Sequence, residues 1–143
     1  MFRDILTGVF PGILSLNWGL VDVRDVALAH VLAMEKPKAS GRYICAGQSM
    51  TMGEVVQVLK DGGYGGKTLP SRDLTGGVAT GLVKLFSWTQ ASGAGSYLRT
   101  HVGRTMRYDN SRIQDELGLS FTSPTESIPM AIDDLKRWGH LQA

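Results

Sequence analysis

The glycine-rich turn at Gly66-Lys67-Thr68 has residue types that could bind a phosphate. The string matches the end of a P-loop, whose backbone amides and lysine hold nucleotide phosphates. That loop also needs a glycine at position 61, where this chain has Asp61. A P-loop opens a helix as well, whereas this turn runs into Leu69-Pro70. We therefore predict a flexible glycine turn here and no nucleotide site.

The residues that could bind metal or act as nucleophiles are scattered along the chain. His30, His101 and His140 lie far apart, with no cysteine or carboxylate at ligand spacing, so no metal site is predicted. His30 stands in an apolar helical stretch, which is more typical of a hydrogen-bonded core histidine. Cys45 stands in an apolar segment and is interpreted as a small core residue.

The run from Arg99 to Arg107 is the basic cluster of the chain. It could bind an anion, such as a nucleotide phosphate or a phosphorylated or carboxylated ligand. The alternative is a solvated edge strand whose charges discourage aggregation. Both interpretations place these side chains at the surface.

The elements that must position these residues alternate in type, which predicts an α/β fold. Short strands are predicted at 20–24, 42–46 and 105–108. Asp25 is predicted to cap a helix over 26–34, and the absence of charge in that helix indicates that it is nearly enclosed.

Two further helix starts carry capping signals. Thr51 and Glu54 have capping-box spacing ahead of a helix over 55–60. The string Ser123-Pro124-Thr125-Glu126 predicts a helix that runs to about Trp138. Shorter helices are predicted over 81–88, over 96–101 and from Ser111 to Gly118.

The composition is that of a globular domain with its own core. The chain has 143 residues, of which 43% are hydrophobic and 20% charged. Its net charge of +2 is too small to indicate nucleic acid or an anionic membrane as a partner. Residues 5–21 are mostly apolar, but Pro11 and Asn17 interrupt them, so a buried or interface-facing segment is predicted rather than a membrane anchor. A single cysteine cannot form an internal disulfide, and a cytoplasmic location is predicted.

The string VDVRDVALAH at 21–30, followed by GRYIC at 41–45, resembles a known family. It is similar to the carboxy-terminal part of extended short-chain dehydrogenase/reductases of the NAD-dependent epimerase/dehydratase family. The branch it resembles contains dihydroflavonol reductases and cinnamoyl-CoA reductases. The resemblance covers nearly the whole chain and is strongest over 20–47 and 105–141. Matching strings in the tail are Tyr108–Arg112, Glu116–Leu119, Asp134-Leu135 and Trp138-Gly139-His140.

This resemblance implies a Rossmann-type reductase of which residues 1–143 are a single carboxy-terminal substrate-binding lobe, with short strands and several capped helices. In the family, NAD or NADP passes a hydride to a ketone or aldehyde carbon, and a tyrosine gives a proton to the oxygen. The nucleotide-binding half, with its glycine-rich loop and catalytic Ser, Tyr and Lys, has no counterpart here. Tyr108 comes nearest to the Tyr-x-x-x-Lys motif, but Arg112 replaces the lysine. The resemblance therefore implies a fragment-like chain that has no catalytic or cofactor-binding residues, binds no cofactor alone and is inactive alone.

The resemblance also implies that this chain supplies pocket walls for a small carbonyl substrate. Residues 1–20 are the predicted wall, because Phe10 and Trp18 suit an apolar or aromatic molecule and Asn17 could add a directional hydrogen bond. A core role is the alternative for Phe10 and Trp18.

Asp22, Asp25 and Arg42 belong to the family motif and are predicted to be structural. Asp25 would hold the turn into the apolar helix, and that helix would pack under the nucleotide-binding sheet. A lobe without that half exposes an apolar face, so the predicted partners are the nucleotide-binding half or a second copy of the chain. A non-catalytic binding or dimerisation module derived from such a reductase is therefore the alternative function. Nucleic-acid binding through the basic cluster is the least favoured function. It requires an affinity that falls steeply with salt, so a flat salt response would exclude it.

Overall fold

Helices and short strands are mixed in the first half of the chain and four helices follow the last strand, which confirms the predicted α/β fold. The computed structural model describes residues 1–89 and 92–141. The helices in these residues are α1 (Phe2–Leu6), α2 (Val23–Glu35), α3 (Met52–Asp61), α4 (Gly77–Phe86), α5 (Ser92–His101), α6 (Ser111–Leu117) and α7 (Pro124–Arg137). The strands are β1 (Ile13–Leu14), β2 (Asn17–Gly19), β3 (Ser49–Thr51) and β4 (Asp73–Leu74).

The strands form two small sheets that join distant parts of the chain. β1 pairs in parallel with β4. β2 pairs antiparallel with β3, and Trp18 lies opposite Met50. Gly12 precedes β1, and a Cβ atom added there would lie 2.6 Å from the carbonyl oxygen of Arg72. Glycine is therefore required for β1 to approach β4 this closely.

α3 lies at the centre of the main core. Its predicted capping box is confirmed, since the Glu54 amide donates to the Thr51 hydroxyl at 3.2 Å and the Thr51 amide donates to the Glu54 carboxylate at 2.7 Å. This cap stabilises the first turn, which brings the apolar face of α3 onto α1, β1 and α7. The fully buried residues of this core include Ile5, Met52, Val55, Leu59 and Ile132.

A second, smaller hydrophobic cluster joins α2 to α6. Ala29 of α2 packs here with Ile113, Leu117 and Leu119, all of them buried. Gly118 ends α6 with a φ of +70°, a backbone conformation that glycine adopts without strain. Of the two clusters, the second is the one that includes residues of α2.

The prediction of an enclosed helix over 26–34 is wrong in its start and in its burial. α2 begins at Val23, and Asp22 caps it by accepting a hydrogen bond from the Arg24 amide at 2.8 Å. Much of the helix is exposed: α6 packs against one side of it, and its first turn meets α7. Its exposed apolar side chains are Val23, Leu28, Val31 and Met34.

The three predicted strands are also misplaced. The strand expected at 20–24 lies at Asn17–Gly19, three residues earlier in register with β3. Residues 105–108 have no regular secondary structure. Residues 42–46 have none either, although their side chains alternate as in a strand: Tyr43 and Cys45 pack on the second cluster, whereas Ile44 is 50% exposed. A strand forms only beside another, and no described segment pairs with 42–46.

The remaining helix predictions hold with shifted ends. The helices expected over 81–88 and 96–101 are the longer α4 and α5. α7 begins at the predicted proline, and Gly139, with a φ of +72°, follows its end. The sequence signals thus located helices well, because caps and glycine stops are local.

Candidate substrate cleft

An open cleft of about 700 Å³ lies between the amino-terminal segment and helices α4 and α5. Its lining is almost wholly apolar, with Asp4 as the charged exception. A cleft of this size and lining suits a small apolar molecule. Its lining residues are Met1, Asp4, Val9, Phe10, Pro11, Leu14, Leu16, Trp18, Leu74, Ala79, Leu82, Val83, Phe86, Tyr97 and Leu98.

The amino-terminal wall of the cleft is anchored at both ends. α1 buries Ile5 and Leu6 in the main core. Farther along, Leu14 and Leu16 are buried at the base of the cleft. Trp18 follows on β2, whose pairing with β3 fixes the direction of the indole side chain. The wall therefore has a defined shape although it contains only short strands.

Phe10 and Trp18 both line this cleft, and both also pack partly against the main core. Asn17 lies apart from the lining, and its side-chain oxygen accepts a hydrogen bond from the Met106 amide at 3.1 Å. Asn17 thus connects β2 to the segment that follows α5. A role of Phe10, Asn17 or Trp18 in substrate binding stays a prediction.

Tyr97 is a polar residue of the cleft that is not among the sites predicted from the sequence. The indole N–H of Trp18 donates to the Tyr97 hydroxyl at 2.8 Å. The Tyr97 ring stacks on His101, with ring centroids 4.1 Å apart and planes inclined by 16°. The available signal was the spacing of these two rings, since residues four apart share one face of a helix.

A second open cleft, of about 780 Å³, lies where the start of α2 meets α7. It contains an ion pair in which Arg24 donates twice to the Asp22 carboxylate, each time at 2.8 Å. These hydrogen bonds hold the pKa of Asp22 far below its usual range. The same guanidinium lies 3.0 Å from the Met130 sulfur of α7. With its carboxylates, this cleft is less suited to an apolar molecule than the first.

One prediction about the other two motif residues, Asp25 and Arg42, needs correction. Asp25 does not hold the turn into α2. Its buried carboxylate accepts hydrogen bonds from the Thr122 amide at 2.7 Å and the Thr122 hydroxyl at 2.9 Å. It joins α2 to the segment before α7, because a residue inside the first turn points away from the chain that enters the helix. Arg42 is exposed, and its carbonyl oxygen accepts a hydrogen bond from Arg112 at 3.3 Å.

The basic cluster does not form an edge strand, so that interpretation is wrong. Its first residues end α5, and residues 104–107 have no regular structure. Arg99 lies over the Trp88 ring, 4.5 Å from its centroid, and donates to the Ser87 carbonyl at 3.1 Å. This guanidinium is therefore engaged in holding α5 to the end of α4.

Two helix amino termini that could otherwise attract a pyrophosphate hold carboxylates: Asp22 at α2 and Glu54 at α3. Hydrogen bonds from the Thr51 amide and hydroxyl lower the pKa of Glu54, so it stays ionised. The turn at Gly66–Thr68 is a single 3₁₀ turn, and the Thr68 hydroxyl donates to the Leu6 carbonyl at 2.6 Å.

Within residues 1–89 and 92–141, no three or more His, Cys, Asp or Glu side chains are grouped so that they could hold a metal ion. No helix of these residues has both the length and the apolar character needed to cross a membrane.

The short strands and seven helices of the described residues are in line with part of a Rossmann-type domain. The crystal structure of gox2253 has this fold: it matches 99% of this chain and 44% of its own, with a TM-score of 0.72 and 19% sequence identity. At that identity the likeness concerns the fold alone. No family model matches the chain.

Sequence relatives of this chain are reductases. Cinnamoyl-CoA reductase 1 of Arabidopsis thaliana is 34% identical over 136 residues, which are 95% of this chain and 33% of that protein. A bifunctional dihydroflavonol 4-reductase/flavanone 4-reductase of Malus domestica is 42% identical over 41 residues, or 29% of this chain and 12% of that protein. These homologues belong to the NAD-dependent epimerase/dehydratase family of short-chain dehydrogenase/reductases, which confirms the resemblance. It spans about a third of the length of the cinnamoyl-CoA reductases it matches.

Proposed function

We propose that residues 1–143 form the substrate-binding lobe of an NAD(P)H-dependent oxidoreductase that reduces a ketone or aldehyde on an apolar or aromatic molecule. The observation that carries this proposal is the apolar cleft between the amino-terminal wall and α4 in a chain whose relatives are reductases. Relatives named for cinnamoyl-CoA and for dihydroflavonol and flavanone support the same substrate class.

In this proposal the chain binds and orients the substrate, and the nucleotide-binding part supplies the chemistry. Phe10 and Trp18 contact the aromatic or alkyl body of the substrate, and Leu82 of α4 closes the opposite side. Burial of this body excludes water from the cleft, which stabilises the bound molecule in proportion to the apolar area covered. The hydride comes from a nicotinamide bound outside this chain, since the family's glycine-rich dinucleotide loop has no counterpart in this sequence.

Two features support docking of a nucleotide-binding sheet beside this lobe. The amides of residues 43–46 have no backbone acceptor among the described residues, although their side chains alternate as in a strand. Next to them, α2 exposes Leu28, Val31 and Met34. A strand and an apolar helix that both lack a neighbour are typical of a parallel sheet whose other strands and helices are elsewhere. The exposed side chains of Leu28, Val31 and Met34 are defined here as the α2 face.

The α2 face also favours the alternative function, a non-catalytic module that dimerises. An exposed apolar face can pair with a second copy of itself as well as with a sheet. Sedimentation velocity of the 143-residue chain over a range of concentrations separates the two. A dimer that Met34→Lys dissociates supports the module, whereas a monomer supports the lobe.

Binding of an apolar carbonyl probe tests the cleft. We expect cinnamaldehyde to bind the chain and to shift the indole N–H resonance of Trp18 in NMR spectra. Leu82→Arg should weaken binding about tenfold, because a charge would enter an apolar site. Leu82 is 61% exposed, so this substitution removes no buried packing.

Leu85→Arg is the matched control, because Leu85 lies on the same helix, is 69% exposed and is not part of the cleft lining. It should leave the affinity for cinnamaldehyde unchanged. Equal effects of the two substitutions would contradict the assignment of the cleft.

The second part of the proposal is that the chain has no reductase activity alone. We expect no consumption of NADPH when the purified chain is mixed with cinnamaldehyde, since the Tyr-x-x-x-Lys motif and the glycine-rich loop have no counterpart in this sequence. Steady oxidation of NADPH that rises with protein concentration would overturn this expectation.

A further inference from the structure

We propose that Tyr97 is a specificity-determining residue, whose hydroxyl donates a hydrogen bond to an acceptor oxygen of the molecule bound in the cleft. This inference rests on the proposed use of that cleft for substrate. The inference extends the proposed function by naming the polar group that selects among apolar ligands of similar size.

The cleft offers very few hydrogen-bond donors. Among its lining side chains, Trp18 and Tyr97 have an N–H or O–H group, whereas Asp4 offers only acceptor oxygens. Asp4 is also paired, since its carboxylate lies 3.2 Å from the amino group of Met1. A ligand oxygen that enters this cleft can therefore find a side-chain donor in only two of its lining residues.

The hydrogen bond between these two residues leaves one donor available. The indole N–H of Trp18 is used, because it donates to the Tyr97 oxygen at 2.8 Å. Within the part of the chain that the structure describes, the Tyr97 hydroxyl forms no other hydrogen bond. Its own hydrogen is thus free for a ligand, and accepting a bond from Trp18 polarises the O–H group and makes it a better donor.

The position of the Tyr97 ring is restricted by a neighbouring residue of α5. It stacks on His101 at 4.1 Å, and the His101 ring nitrogen Nδ1 lies 2.8 Å from the Thr100 hydroxyl. Together with the Trp18 bond, this stacking restricts the direction of the hydroxyl before a ligand arrives. A donor fixed in advance loses less entropy on binding, so it discriminates well between ligands with and without an acceptor.

The class of ligand follows from this chemistry: an apolar body that carries a carbonyl, ether or phenolic oxygen. Hydrocarbons of equal shape fill the same cleft but leave the Tyr97 hydroxyl without its partner. Since a neutral hydrogen bond is worth about 0.5–1.5 kcal/mol, the expected preference is about 2- to 10-fold in affinity.

A matched pair of probes tests the inference. Cinnamaldehyde and trans-β-methylstyrene have the same carbon skeleton, and only the aldehyde has an acceptor oxygen. We expect the wild-type chain to bind the aldehyde about 2- to 10-fold more tightly. Tyr97→Phe should remove this preference and keep the affinity for the hydrocarbon, because the ring and its stacking on His101 are retained.

Tyr64→Phe is the control. The Tyr64 hydroxyl lies 3.3 Å from the Asp133 carboxylate and is not part of the cleft lining, so the preference should persist. If the two probes bind equally well to wild type, or if Tyr97→Phe retains the preference, Tyr97 is not the selecting residue and the cleft proposal stands. If neither probe shifts the Trp18 indole resonance, the cleft proposal itself fails, and this inference fails with it.

Discussion

Asp22 illustrates how one carboxylate serves two purposes. It caps α2 through the Arg24 amide and pairs with the Arg24 guanidinium. The sequence favoured Asp25 for the cap, because it directly precedes the apolar run. In the structure the Asp25 carboxylate accepts a hydrogen bond from Thr122 instead, and Thr122 lies far away along the chain.

The pH dependence of stability should reflect the role of Asp22. Its pKa is lowered from 3.8, chiefly by the Arg24 hydrogen bonds, so its ionised form stabilises the fold at neutral pH. That contribution is complete above the unfolded-state pKa and is lost as the pH falls below about 4 toward the folded-state value. We expect Asp22→Asn to flatten the fall in stability between about pH 4 and pH 2, as measured by urea unfolding.

Asparagine remains a good cap, so Asp22→Asn isolates the charge from the capping hydrogen bond. Asp115→Asn, at an exposed position of α6, serves as the control and should keep the wild-type pH profile. The assignment fails if both variants have the wild-type profile.

Helix starts were the most predictable elements of this chain. The Thr51–Glu54 capping box and the proline at the start of α7 both lie where their spacing indicates. These signals are local, since the groups that bond are within one turn of each other. Strands were not predictable in this way, because their pairing partners are distant: β1 pairs with β4 and β2 with β3.

Removal of the α3 cap should have a measurable cost. We expect Thr51→Ala to lower the free energy of unfolding by about 1 kcal/mol, because the Glu54 amide loses its acceptor. Urea denaturation measures this difference. Thr105→Ala, in an exposed irregular segment, is the control and should change stability by less than about 0.5 kcal/mol. Equal losses in both variants would mean that the cap has no special role.

The tertiary structure brings the amides of residues 43–46, which have no backbone acceptor, next to the helix that carries the exposed apolar side chains of the α2 face. Tyr43 and Cys45 pack on the second cluster together with Ala29 and Leu32 of α2, so residues 43–46 lie beside this helix. Gly47, whose amide donates to the Leu20 carbonyl at 2.9 Å, lies between residues 43–46 and β3. In our proposal, residues 43–46 and the α2 face form one docking surface.

Hydrogen–deuterium exchange tests that surface directly. In the 143-residue chain, the amides of 43–46 should exchange rapidly because they have no backbone acceptor, whereas those of α3 should be protected. In a longer protein that includes the nucleotide-binding part, 43–46 should become protected as well. Protection of 43–46 in the 143-residue chain, unchanged by dilution, would contradict the docking proposal.

The family resemblance, the α/β class and the α3 capping box could be predicted from the sequence. Motif strings and caps depend only on neighbours within a few positions. The cleft as a whole was only partly accessible: Phe10 and Trp18 were candidates from their types, but Tyr97 entered the site because α5 folds back onto β2. Burial was the least accessible property. The apolar run of α2 predicts a buried helix, yet several of its apolar side chains are exposed. The hydrophobic effect favours burial of these side chains but is not directional, so it does not specify which surface covers them.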